Sequence, residues 1–232
     1  MNHMLFLGLG YSAGVIAEAL AARGWRVSGT ARSETGVRAI EARGWRGIPF
    51  DGTAPSSSLA EVLESVTHIL VSIPPAEVGD PAFVHHAGDI VAAPQLGWIG
   101  YFSTVGVYGD EGGGWVDETT PCQPKSERGK RRLLAEEAWQ RLGLQCGSDM
   151  FVFRLPGIYG PGRSAIDSMK AGTARRIIKP GQVFNRIHVE DIARVVQAAI
   201  RHPEKAGVYN VTDDLPSRSK EPSGQAITRV GR

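Results

Sequence analysis

The sequence predicts an α/β fold: a doubly wound, mostly parallel sheet with helices on both faces and a small C-terminal lobe. Three observations predict it. Short apolar runs alternate with amphipathic helical stripes, and no internal repeat, linker or low-complexity segment breaks the alternation. The first run, Met4 to Leu7, passes directly into Gly8-Leu9-Gly10-Tyr11-Ser12-Ala13 and then into a helical stripe of Val15, Ile16, Ala19 and Leu20. The length, 232 residues, suits one large α/β domain with a small annex.

The order strand, glycine turn, helix at the start of the chain is the context that a dinucleotide-binding fingerprint requires. Gly8 permits the tight turn out of the strand. Gly10 lacks a Cβ, so a pyrophosphate can approach the backbone, and Ala13 is small enough for the helix to pack on the sheet. Tyr11 and Ser12 open that helix, whose N-terminal amides and positive dipole end face the phosphates. The fold is therefore expected to be Rossmann-like. The plainer alternative is a strand-to-helix turn that is merely rich in glycine.

The first helix ends near Arg23-Gly24, with glycine as the stop signal. Trp25 to Thr30 reads as the second strand. An NAD-binding chain usually carries Asp or Glu about 20 residues after the glycines, for the ribose 2′-hydroxyl. Here the strand ends Thr30-Ala31-Arg32-Ser33, and no carboxylate occurs before Glu34. Arg32, helped by the Ser33 hydroxyl, would instead pair with a 2′-phosphate, which favours NADP over NAD; the alternative is a solvated arginine. A helix over 34–43 and a strand over 46–50 complete this half. Asp51 follows, either as an acceptor for the adenine amino group or as a turn aspartate before Gly52. A stripe from Leu59 to Val66 precedes the fourth strand, His68 to Ile73, which ends at Pro74-Pro75. The C-terminal end of that strand, Ser72, Ile73 and Pro74, should lie where the strand order reverses and ligands bind. Residues 80–90 read as a crossover helix.

Composition narrows the class. The net charge of +2 is ordinary, and no basic stripe interleaved with aromatics suggests nucleic acid. The basic cluster Lys125 to Arg132 also contains Glu127 and reads as a solvated helix face. Cys122 and Cys146 form neither a metal-ligand pattern nor a disulfide framework, so no metal is expected and a reducing compartment is. With no apolar run long enough to span a bilayer and the first strand starting at once, a cytoplasmic protein is expected. The expected partner is a small-molecule substrate, with a homodimer allowed.

The second half begins with a strand over 97–102, followed by Ser103-Thr104-Val105-Gly106-Val107-Tyr108-Gly109. Further on come Val116-Asp117-Glu118 with Pro121, Arg154-Leu155-Pro156-Gly157-Ile158-Tyr159-Gly160-Pro161-Gly162, Ile187-His188-Val189-Glu190-Asp191-Ile192, and Tyr209-Asn210-Val211. With the glycine turn, these stretches resemble the extended short-chain dehydrogenases/reductases of the NAD-dependent epimerase/dehydratase type. They cover residues 4 to about 214 in that family's order. The resemblance implies an oxidoreductase site. Thr104 would hydrogen-bond the reacting oxygen, Pro156 would pack on the nicotinamide, and Tyr108, Tyr159, Asn185 and His188 would line or rim the substrate pocket.

Two departures stand out. The family carries a Tyr-x-x-x-Lys pair on the helix after the Val-Tyr-Gly signature, with the phenol moving the proton and the lysine holding the ribose. The matching stretch here is Pro124-Lys125-Ser126-Glu127-Arg128-Gly129-Lys130, with Lys130 for the lysine and Ser126 at the tyrosine position. Serine is a poor proton donor beside a phenol of pKa near ~10. Tyr108, Tyr159 or a water held by Ser126 and Lys130 are the alternatives, and Lys130 also reads as a solvated lysine. The second departure is the chain's end. After residue 216 the family's further substrate lobe gives way to a stretch rich in Ser, Lys, Arg and Gly, whose composition suggests disorder.

The expected organisation is a dinucleotide-binding domain over 1–155, a substrate lobe over 156–216 interleaved with the last strand, and a tail over 217–232. An amphipathic helix over 191–200, with Ile192, Val195, Val196, Ala199 and Ile200 on one face, should belong to the core. The leading function is an NADP-dependent oxidoreductase acting on a small carbonyl or alcohol. The alternatives are an NAD(P)-binding sensor with little turnover and a sugar-nucleotide epimerase or dehydratase.

Overall fold

The computed structural model describes residues 1–172 and 183–218. The first half runs β1 (His3–Leu7), α1 (Tyr11–Ala21), β2 (Arg26–Ala31), α2 (Glu34–Glu41), β3 (Arg46–Pro49), α3 (Ser57–Leu63), β4 (His68–Val71) and α4 (Pro81–Val91). The second half continues with β5 (Trp98–Thr104), α5 (Glu127–Cys146), β6 (Asp149–Leu155), β7 (Gly157–Tyr159), α6 (Ala165–Lys170), β8 (Val183–Phe184), β9 (Arg186–His188), α7 (Val189–Arg201), β10 (Gly207–Asn210) and β11 (Ser217–Arg218).

Seven of these strands form one sheet in the order β10-β6-β5-β4-β1-β2-β3, and every neighbouring pair is parallel. The chain steps outward from β1 to β3, then returns to lay β4 on the other side of β1. The order therefore reverses between β1 and β4, and the C-terminal ends of these two strands flank the crevice where doubly wound sheets bind ligands.

Side-chain alternation in β1 shows how the layers assemble. Met4 and Phe6 pack on one face with Ile16 and Leu20 of α1 and Ile192 and Val196 of α7. Leu5 and Leu7 pack on the other with Val62 of α3, Ile90 of α4 and Trp139 of α5. Both faces are covered, which is why the strands read as unbroken apolar runs. The expected amphipathic helix over 191–200 is α7, a core element. Asp80 caps α4 by accepting from the amides of Ala82 and Phe83, with Pro81 opening the helix.

The sheet does not stop at residue 155: β10 forms its edge on β6. The smaller lobe holds a parallel pair, β7 with β9, and an antiparallel pair, β8 with β11. Ser217 and Arg218, placed in the tail by composition, are thus a paired strand, while 219–232 lie outside the described residues. Among the described residues no helix is long and apolar enough to cross a membrane, and no group of three or more His, Cys, Asp or Glu is arranged to hold a metal ion.

Candidate functional site

The glycine turn is braced from both sides. The Gly8 amide donates to Thr30 Oγ1 at 2.7 Å and the Leu9 amide to the Thr30 carbonyl at 3.0 Å, so the end of β2 holds the loop. Gly8 has a φ of +90°, and a Cβ built there would lie 2.9 Å from the Ile73 side chain and 3.2 Å from its backbone nitrogen. No other residue fits that contact without strain. Gly10 differs. It stands at the N-cap of α1 with no side-chain cap and no acidic residue in the first turn, and a Cβ there would meet nothing within 4 Å. The first amides of α1 therefore face an open cradle, while Ala13 is fully buried against the core. This is a fit for a pyrophosphate.

Arg32 lies exposed just past β2, with no hydrogen bond or ion pair to any described residue. The Ser33 hydroxyl is engaged locally, capping α2 by accepting from the Gly36 amide at 3.1 Å. Asp51 is exposed at a turn: its Oδ1 accepts from the Thr53 amide and hydroxyl, which hold its pKa below the usual range, and neither bond uses its other oxygen. Ile73 packs against Gly8, as described, and Pro74 is exposed.

From the start of α1 a cleft of about 290 Å³ extends across the ends of β4, β5 and β6. Tyr11, Ser12, Ser72, Thr104 and Pro156 line it as expected, and the Tyr11 hydroxyl ties α1 to the next lobe by donating to the Pro161 carbonyl at 3.0 Å. The Thr104 Oγ1 accepts from the Gly106 amide, which leaves its proton free for a ligand.

Helix α5 departs from expectation. Ser126 is its N-cap, with Oγ accepting from the Gly129 amide at 3.1 Å. Lys130 is exposed and paired with Glu127 at 2.8 Å. Neither residue lines the cleft. The α5 residues that do are Arg128 and Arg132, four apart and hence on one face. The register follows from packing. A Cβ on Gly129 would lie 2.9 Å from the Pro124 side chain and 3.1 Å from the Gly106 carbonyl oxygen. That seats the first turn of α5 against the loop after β5. The basic cluster is accordingly not all solvated, because Arg132 is only 8% exposed. Its Nη1 donates to the Phe102 carbonyl at 2.7 Å and to the Tyr101 hydroxyl.

Behind Thr104 lies a buried polar network that sequence reasoning missed. Glu136 of α5 accepts from the Ser103 hydroxyl and from the Arg154 guanidinium, whose Nη2 approaches to 2.8 Å. Burial works against the Arg154 charge, and Glu136 more than offsets it. Arg154 Nη1 donates to the Tyr108 hydroxyl at 2.8 Å, and that hydroxyl donates to Asn210. Tyr108 is therefore a core residue tying β10 to β6, and it does not line the cleft. Its membership in a turn motif concealed this; the buried stripe of α5, in which Glu136 falls, was the available signal.

The other expected pocket residues also sit elsewhere. His188 caps α7, with Nδ1 accepting from the Glu190 amide, and its ring meets Tyr159 edge-on at 5.1 Å. The Tyr159 phenol is held above its ordinary pKa by burial and by Asp213. Asn185 is exposed and contributes its backbone carbonyl to Gly157. A second hollow of about 540 Å³, lined by Asp191, Asp213 and Asp214 among others, contains none of these residues.

A parallel doubly wound sheet with a glycine turn at its switch point defines a Rossmann-like α/β fold. The sequence matches the NAD dependent epimerase/dehydratase family over residues 7–212, and the chain belongs to that family. It is 28% identical over 221 residues to Protein YeeZ of Escherichia coli (strain K12), covering 91% of this chain and 77% of that protein. A functionally unknown conserved protein from Silicibacter pomeroyi superposes with a TM-score of 0.84 at 45% identity, over 99% of this chain and 77% of that one. A dTDP-glucose 4,6-dehydratase from Bacillus anthracis, solved in complex with NAD, shares the fold with a TM-score of 0.79 at 18% identity, over 100% and 82% of the two chains.

Proposed function

We propose that the chain is an NADP-linked oxidoreductase that acts on a small carbonyl or alcohol. The observation that carries this reading is that Tyr11 and Ser12, the first residues of α1 after the open Gly10 position, line a cleft that also contains Thr104, whose hydroxyl proton is free. The α1 amides, Gly8 and Gly10 would hold the pyrophosphate, Arg32 the 2′-phosphate, and Ser72 and Pro156 the walls of the cleft. The bound cofactor would supply or accept a hydride. Thr104 would orient the reacting oxygen through a hydrogen bond. As the carbonyl carbon takes up the hydride, that oxygen would draw a proton from water in the open cleft, and in the reverse direction it would return the proton to that water.

One observation favours a second reading, a dinucleotide-binding sensor with little turnover: Ser126 and Lys130, the residues matched to the family's acid–base pair, both face away from the cleft. The deciding experiment runs NADPH and NADH binding titrations beside NADPH oxidation over a panel of small carbonyls. Tighter NADPH binding with turnover supports the oxidoreductase. Tight binding without turnover on any carbonyl supports the sensor, and no dinucleotide binding contradicts both.

A further inference from the structure

The cleft carries three guanidiniums, from Arg128, Arg132 and Arg163, and among the described residues no carboxylate lines it. The other buried guanidinium, Arg154, is matched by Glu136 in a direct ion pair, whereas Arg132 makes none and feels only the field of the buried Asp80 carboxylate. Arg128 makes no hydrogen bond or ion pair with any described residue. Arg132 is more telling. It is more than nine-tenths buried, its Nη1 rests on two neutral oxygens, and its Nε has no hydrogen-bond partner. A buried guanidinium with an unsatisfied donor is costly; because that Nε is closed to solvent, an anion in the cleft would offset the charge through the rest of the guanidinium and not by bonding Nε.

We propose that Arg128 and Arg132 form an anion subsite that takes the carboxylate or phosphate group of the small substrate beside Thr104. The dinucleotide's own phosphates have separate partners in the α1 amides, and Arg163 stacks on Tyr11 at the start of α1, with 5.6 Å to the ring centre. Arg163 is thus assigned to the cofactor side of the cleft. The two α5 arginines remain. Their i, i+4 spacing places two guanidiniums on one helix face, and planar, fork-shaped donors match carboxylate and phosphate oxygens. The position next to Thr104 rests on the oxidoreductase reading; the anion site itself does not.

The test is calorimetric titration of the full chain, with and without saturating NADP, using inorganic phosphate, lactate and the neutral isostere lactamide. At least one of the two anions is expected to bind while lactamide does not, and the bound anion identifies the group. Arg128→Gln should weaken anion binding at least tenfold, leave NADP affinity within about twofold, and be partly rescued by Arg128→Lys; these follow from losing one charge-assisted contact of two. Arg132 also supports β5, so its role is read in the unaltered chain: anion addition should shift the NMR signal of the Arg132 Nε–H. The proposal is overturned if neither anion binds, if lactamide binds as well as lactate, or if Arg128→Gln binds both anions unchanged. Anion binding without NADP binding would leave the subsite standing and remove the oxidoreductase reading. NADP binding without anion binding would do the reverse.

Discussion

Arg32 stands exposed past β2 where a carboxylate would select NAD, and nothing described pairs with it. NADPH should therefore bind more tightly than NADH. Arg32→Ala should remove about ten- to a hundredfold of that preference, the worth of a charge-assisted contact of about 1.5–3 kcal/mol. Equal affinities for the two cofactors in the native chain would contradict the assignment. At the same scale, His3 shows how pH enters. Its ring is enclosed by Ser28 and Ser65, and burial, with Arg26 nearby, pushes its pKa down to about 4. Burial does the same to His68, also to about 4. Between roughly pH 6.5 and 4 the unfolded chain binds protons that the folded one refuses, so stability falls as pH drops through that window. Thermal melts should show the decline, and His3→Gln should flatten part of it. An unchanged slope in that variant would remove His3 from the account.

At the scale of elements, α5 connects the core to the cleft. Ser126 fixes its start, Gly129 seats its first turn, and Glu136 locks its middle onto β5 and β6. Glu136→Gln would strand the Arg154 charge among buried groups, and removing one partner of such a pair typically costs about 3–5 kcal/mol. Denaturant unfolding should show a loss of that order, and a loss under about 1 kcal/mol would mean that the network reorganises. Loss of the cap by Ser126→Ala should cost less, about 1 kcal/mol. This helix also marks how much of the site was legible. Its existence could be read from the chain, but its facing could not. Matching the family's Tyr-x-x-x-Lys spacing to Ser126 and Lys130 set the reading two residues away from the pair that faces the cleft, Arg128 and Arg132. The facing is decided by close packing of Gly129 on Pro124 and the Gly106 carbonyl, contacts between segments that no local spacing reveals.

At the scale of the whole molecule, the parallel sheet was legible because its strands are buried on both faces and helical stripes separate them. The switch point followed from the glycine turn, and the structure puts it between β1 and β4. What the chain concealed was long-range polar pairing. Tyr108 and His188 sit in motifs that suggest a pocket, yet one is sealed against Arg154 and Asn210 and the other caps α7. Tyr11, Ser12 and Ser72 line the cleft because they sit at the start of α1 or just past β4, where the fold itself opens; Thr104 and Pro156, expected from the family resemblance, line it at the ends of β5 and β6.

The central claim is that a dinucleotide lies on the open cradle at the start of α1. Titration of NADPH by fluorescence into the native chain and into Gly10→Val tests it most directly. A valine there meets no protein atom with its Cβ and needs no unusual backbone angle, so the variant should fold and melt like the native chain. Its branched side chain would nevertheless fill the space a pyrophosphate needs. Binding in the native chain that disappears in a folded Gly10→Val is the predicted result; an unchanged dissociation constant would contradict the account.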